Sequence, residues 1–171
     1  MDSPTLDAIG KDFDDFRFHF DSMYLGGIPR LLDETGAFLS FLCVVTAIDT
    51  LAGGWAPALG SGERFKGFVQ AYFPVGLRER SEDLWRFRNL MIHAFNPGPF
   101  ALVCHQSRLH LSPQGEVTIL NAEDFYAGLL CASSEYFKSV KGDSKLIANF
   151  KRRMEQKDGG APQQFTVVRG N

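Results

Sequence analysis

The sequence predicts a mainly α protein: a bundle of four to five helices with a small antiparallel β hairpin inserted at about 99–120. Apolar residues recur at helical spacing through most of the chain, whereas the residues after the Pro-Gly-Pro at 97–99 alternate and are rich in β-branched side chains. The length of 171 residues, 44% hydrophobic and 22% charged, suits one domain. We expect that domain over 1–156 and a flexible tail over 157–171, where Gly, Pro and Gln accumulate.

Phenylalanine spacing predicts the first helix. Phe13, Phe16 and Phe20 recur at intervals of three and four, which places them on one face of a helix over about 6–24. The glycine pair at 26–27 ends this helix.

The second helix is predicted to begin near Pro29 and to run through Ile48, apolar nearly all round, which marks it as the centre of the bundle. Its uncharged stretch, 36–48, stops at Asp49. That length is well below the roughly 20 residues of a membrane-spanning helix, so no membrane association is expected.

Serines mark the next two helix starts. Ser61 is a candidate N-cap with Glu63 in the first turn, and this third helix closes before Pro74. Ser81 is the candidate N-cap of a fourth helix, which stops at 97–99. The stripe expected to be buried in the fourth helix is Leu84, Phe87, Leu90 and Met91.

The remaining chain changes period and then returns to helix. Three segments alternate as strands do, and SPQG at 112–115 is a turn signal between the last two. Asn121 is the candidate N-cap of a further helix, and 142–144 separates it from a short last helix. The three strand segments are PFALVCHQ, RLHLS and EVTIL.

Charge is unevenly distributed along a chain whose net charge is −2. Residues 1–35 are acidic and residues 138–157 are basic. The sequence leaves open whether these are two solvated faces or two ends that pack together. A uniformly basic, nucleic-acid-coating surface is excluded, so any RNA contact must be local.

Cysteine usage and the N-terminus predict a cytoplasmic protein. The chain has three cysteines, which cannot all pair within one chain. They lie among apolar neighbours and form no CxxC or Cys/His cluster: Cys43, Cys104 and Cys131. The first residues carry acid where a signal peptide would carry Lys or Arg.

The fourth helix holds the candidate site. In WRFRNLMIH, Arg86 lies about 20° and Asn89 about 40° from His93 on the helix surface, so these three share one face, whereas Arg88 lies about 140° from His93. For Arg88 and His93 to reach one phosphate, His93 must sit where the helix ends, or a second chain must complete the site. Trp85 precedes this group.

These residue types suit RNA cleavage. An imidazole titrates near neutrality and can move a proton, while a guanidinium grips phosphate oxygens and stabilises negative charge. The 2′-hydroxyl of RNA can serve as the nucleophile, so the protein needs no nucleophile of its own.

The segment RNLMIH, from Arg88 to His93, resembles the signature of the HEPN superfamily: an arginine, usually followed by a polar residue, then a histidine near the end of a bundle helix. The resemblance implies a helical bundle, a homodimer with two motifs facing a cleft and, in active members, metal-independent endoribonuclease activity. Arg88, Asn89 and His93 would be catalytic, Arg86 and Trp85 would bind substrate, and no metal or cofactor is implied.

The same resemblance admits a non-catalytic binding or scaffold module for a nucleotide, an RNA or a protein such as an antitoxin. His93 could instead cap helix carbonyls, and the arginines could pair with nearby acids. Trp85 is expected in the core or at a dimer surface. The nearby acids are Glu79, Glu82 and Asp83.

Three further polar residues are left unassigned by pattern. His105 and His110 lie in the hairpin without a third metal ligand at proper spacing. Asp49 interrupts an apolar helix, and either a hydrogen bond near the helix end or a place in the cleft would account for it.

Overall fold

The computed structural model of the chain describes residues 6–33 and 35–155, with side chains described from residue 12. The predicted tail over 157–171 lies outside this part. The mainly α class is confirmed. The elements are α1 (Leu6–Phe20), α2 (Ala37–Trp55), α3 (Ser61–Tyr72), α4 (Val75–Arg78), α5 (Ser81–Ala94), β1 (Phe100–Val103), β2 (Pro113–Gln114), β3 (Val117–Asn121), α6 (Ala122–Gly142) and α7 (Ser144–Glu155).

The described residues form seven α-helices rather than the predicted four to five. One addition is α4, a single turn between α3 and α5. The short last helix that the sequence predicts is α7, and Asp143 alone separates it from α6. Because α7 buries Leu146 and Phe150, it belongs to the bundle.

The two ends of the described chain pack together through aromatic rings. Phe13 and Phe16 of α1 contact Phe150 of α7 edge-on, with ring centroids 5.3 Å and 5.2 Å apart. The acidic and basic ends therefore meet, and phenylalanines hold them together. After α1 the helix continues as a π-helical turn over Asp21–Leu25, close to the predicted end.

The central position of α2 is confirmed, but its predicted start is wrong. A 3₁₀ turn occupies Ile28–Leu31, and regular helix begins only at Ala37. Between them the Asp33 carboxylate accepts the Gly36 N–H at 2.6 Å, which fixes a turn and holds the pKa of Asp33 below its usual range.

A glycine near the C-terminal end of α2 lets this helix pack closely against α6. A Cβ at Gly54 would lie 2.9 Å from the Tyr136 hydroxyl oxygen, so glycine permits this approach. By length and composition α2 could cross a membrane, but 61% of its apolar window is buried inside the protein. This is the packing of a core helix.

The predicted N-caps of α3 and α5 are both shifted by one residue. Gly60 precedes α3, and its N–H donates to the Glu63 carboxylate at 3.3 Å. Arg80 precedes α5, and the buried Ser81 hydroxyl accepts a hydrogen bond from Gln70 of α3 at 2.9 Å. Ser81 is thus used to join two helices.

The β insertion is a mixed sheet, not a simple antiparallel hairpin. Strand order is β1-β3-β2, with β1 parallel to β3 and only β2 antiparallel to it. Parallel strands need a crossover, and residues 104–116, which include β2, connect β1 to β3. The predicted strand RLHLS, at 108–112, is therefore wrong: its first two residues end a 3₁₀ turn over Ser107–Leu109, and strand β2 begins only at Pro113.

Candidate functional site

Two hydrogen bonds hold Arg88 in place. Its Nε donates to Asp49 Oδ2 of α2 at 2.7 Å, and one terminal nitrogen donates to Asn89 Oδ1 at 3.1 Å. The two charged side chains are only 22% and 19% exposed. In such a sheltered position a charge-assisted hydrogen bond is strong, so the guanidinium is preorganised.

Trp85 forms one wall beside this guanidinium. The Arg88 guanidinium carbon lies 5.3 Å from the Trp85 ring centroid, within cation–π range. On its other side Trp85 packs against Phe65 of α3 at 5.5 Å, and its ring passes 3.1 Å from where a Cβ on Gly62 would lie. The half-buried indole therefore supports Arg88.

His93 and Arg86 are exposed, on another face of α5 from Arg88. Regular helix continues through Ala94, so His93 lies in the last turn but keeps its helical direction. Five positions of helix leave Arg88 and His93 about 140° apart and about 7.5 Å apart along the axis. One chain therefore does not aim both side chains at the same point.

The C-terminal end of α5 has exposed apolar side chains. Phe95, the C-cap residue, adopts φ +52° in the left-handed region and is 76% exposed, and its ring contacts Phe38 of α2 at 4.6 Å. Left-handed backbone is costly for a bulky residue. Ile92, three positions before Phe95, is exposed as well. We call Ile92 and Phe95 the α5-end patch.

The two histidines of the β insertion have local partners. His105 Nδ1 lies 2.7 Å from Glu123 Oε1, and the Nδ1 of His110 accepts the Asn121 N–H at 3.2 Å. Burial lowers the pKa of His110, which keeps the ring neutral and able to accept. Within residues 12–33 and 35–155, no group of three His, Cys, Asp or Glu side chains could hold a metal ion.

Sequence reasoning predicted that an acid could pair with Arg88, but it favoured acids near Arg88 in the chain and did not identify Asp49. The nearby acids are not used, since Asp83 pairs with Arg80 and Glu82 with Lys66. The usable signal was the single carboxylate in apolar α2, at Asp49. The α5-end patch had no such signal, because exposure of an apolar residue is not readable from its type.

Comparison with models of protein families, with curated proteins and with solved structures gave no significant match. The resemblance to the HEPN superfamily therefore stays a prediction from the sequence motif at 88–93.

Proposed function

We propose that this protein is a metal-independent endoribonuclease of the HEPN type, with a cleft formed where two copies meet at the C-terminal half of α5. The observation that carries the proposal is the combination on one helix of an immobilised arginine, an exposed histidine and exposed apolar side chains at its end. Arg88 is fixed by Asp49, His93 is exposed, and the α5-end patch presents apolar side chains to solvent, as interaction surfaces do.

The chemistry assigned to the cleft is transesterification within RNA. His93 takes the proton from a ribose 2′-hydroxyl, the 2′-oxygen attacks the adjacent phosphorus, and the bond to the 5′-oxygen breaks. The products are a 2′,3′-cyclic phosphate and a 5′-hydroxyl, after the leaving oxygen has taken up a proton. Arg88 binds the phosphate oxygens as charge develops, Asn89 orients Arg88, and Arg86 binds flanking phosphate.

A second copy completes the site in this proposal. Because Arg88 and His93 diverge by about 140° on one helix, the phosphate is bound by Arg88 of one protomer and reached by His93 of the other. The α5-end patch supplies apolar area for such an interface. Phe95 keeps a bulky ring in a strained conformation there, which is typical of a residue retained for contact.

The cleavage test uses purified protein, a single-stranded RNA oligonucleotide and EDTA. We expect products that end in a 2′,3′-cyclic phosphate, no cleavage of the matching DNA, and at least a roughly hundredfold slower rate in His93→Ala. His19→Ala, a histidine of α1 remote in sequence from the motif, is the matched control and should cleave normally. Absence of cleavage, or full activity in His93→Ala, overturns the catalytic proposal.

Complementation tests the shared site. Arg88→Ala and His93→Ala are each inactive alone, but in a mixed dimer one of the two sites receives both native residues. Statistical mixing makes half of the dimers mixed, so about a quarter of the native activity should return. A mixture that stays inactive although exchange is demonstrated shows that each site lies within one chain.

The interface is tested by Phe95→Gly. Glycine removes the ring and suits the left-handed backbone, so the monomer should fold while the dimer is lost, as measured by sedimentation velocity. Phe18→Ala is the control, because Phe18 of α1 is also highly exposed. An unchanged dimer in Phe95→Gly contradicts the proposed interface.

A non-catalytic helical dimer is the second candidate, and one observation favours it. The guanidinium of Arg88 already contacts Asp49, Asn89 and Trp85, as expected of a structural arginine. In that case Arg88→Ala lowers the stability of the protein, and neither the native protein nor any variant cleaves RNA. His93→Ala then leaves both stability and dimerisation unchanged.

A further inference from the structure

A polar groove lies between the C-terminal ends of α2 and α3, the loop after α2 and one side of α7. It is an open groove of about 780 Å³, within the usual range for small-molecule sites. No residue of α5 lines it. Its principal lining residues are Trp55, Leu59, Tyr72, Asp143, Lys145 and Arg152.

The aromatic wall of this groove is rigid. Trp55 packs edge-on against Phe68 at 6.4 Å, and a Cβ on Gly67 would come within 2.8 Å of its ring. Tyr72 contacts Phe68 at 5.0 Å and Tyr136 at 5.5 Å. Both rings are half-buried and line the groove, so they offer a fixed apolar surface to a flat ligand.

The opposite wall is cationic. Lys145, Asn149 and Arg152 recur on one face of α7, with the two cations about 10 Å apart along its axis. Asn149 is already engaged, donating to the Trp55 carbonyl at 2.7 Å. Lys145 and Arg152 have no acidic partner among residues 12–33 and 35–155.

The one carboxylate of the lining is already used. Asp143 accepts the main-chain N–H of Lys145 at 2.8 Å and that of Leu146 at 3.3 Å, which caps α7. Lys151, a neighbouring cation on α7, is not part of the groove and lies 3.8 Å from Glu155. The groove lining therefore carries two cations without an ion-pair partner in the described part of the chain and one carboxylate, a net charge of +1 beside the aromatic wall, and the carboxylate oxygen is held by the start of α7.

We propose that this groove binds a nucleotide, with its base against Trp55 and Tyr72 and its phosphates on Lys145 and Arg152. Aromatic side chains stack on bases, and Arg and Lys bind phosphate oxygens. A small molecule in which a flat aromatic ring is joined to a polyphosphate can therefore contact both walls of the groove. The binding does not depend on the cleavage proposed for α5.

Tryptophan fluorescence tests the proposal because the chain has two tryptophans, Trp55 and Trp85. In Trp85→Phe, Trp55 alone reports the groove, and ATP added in EDTA should quench it with saturation. Adenosine and inorganic triphosphate, which each lack one half of the ligand, should bind at least about tenfold more weakly. In Trp55→Phe, the remaining Trp85 should not respond.

Charge variants in the Trp85→Phe background locate the phosphates. Lys145→Ala and Arg152→Ala should each weaken ATP binding about tenfold, whereas Lys151→Ala, the matched control, should change it less than about twofold. The proposal is overturned by absence of saturable quenching, by equal binding of triphosphate and ATP, by equal losses in all three variants, or by quenching of Trp85 in Trp55→Phe.

Discussion

Removing the Asp49 carboxylate tests how much of the stability depends on the fixed position of Arg88. The pair is joined at 2.7 Å with side chains 22% and 19% exposed. An exposed ion pair contributes about 0–1 kcal/mol, and a fully buried charge left unpaired costs about 3–5 kcal/mol. The Arg88–Asp49 pair lies between these limits, so Asp49→Ala should lower the free energy of unfolding by about 2 kcal/mol.

The assay is urea unfolding followed by circular dichroism, at a protein concentration held constant. If unfolding is followed by heating instead, a loss of about 2 kcal/mol corresponds to a fall in Tm of about 4–8 °C for a domain of this size. Asp83→Ala is the control, because Asp83 lies 3.7 Å from Arg80 and is 44% exposed. It should cost less than about 0.5 kcal/mol.

A double-mutant cycle with Arg88→Ala isolates the pair itself. We expect a coupling free energy above about 1 kcal/mol between Asp49 and Arg88. If Asp49→Ala is as stable as the native protein, or if the two substitutions add without coupling, the pair does not hold Arg88 and the preorganisation inferred for the site is wrong.

Three further outcomes are expected. Gly67→Ala should destabilise by about 1 kcal/mol, since overlap with the Trp55 ring outweighs the gain in helix propensity, whereas Gly142→Ala, with nothing within 4 Å, should not; urea unfolding distinguishes them. Tyr136→Phe should stabilise by about 1 kcal/mol in the same assay, because the buried Tyr136 hydroxyl has no partner among the described residues. Burial lowers the pKa of His110 from 6.5, so the unfolded chain binds this proton at higher pH than the fold does; Tm should fall as pH drops below about 6.5, and less so in His110→Gln.

Helices were predictable from the sequence because their signals are local. The spacing of phenylalanines in α1, the break between α6 and α7 and the apolar α2 all have the expected structure. The sheet was not predictable in its pairing, since alternation identifies a strand but not its neighbour. Whether β1 joins β3 in parallel depends on the path of residues 104–116, in which His105 and Leu111 adopt positive φ.

In the candidate site, too, the local geometry of α5 was predictable from the sequence, whereas the contact with another helix was not. Helical geometry alone indicated that Arg88 and His93 point in different directions, and α5 has that geometry. The partner of Arg88 is 39 positions away, and rules for neighbours three or four residues apart favour acids on the same helix instead. Asp49 is selected by the packing of α2 on α5, which is a tertiary property.

The aromatic contacts of α1 also have a consequence for the chain during its synthesis. Helix α1 leaves the ribosome long before α6 and α7, which supply its covering rings, Phe137 and Phe150. Until those helices are synthesised, the apolar face of α1 is exposed to solvent or to chaperones. The core around α1 is therefore completed late in synthesis. In a chain that stops before α7, the phenylalanines of α1 lack the rings that bury them.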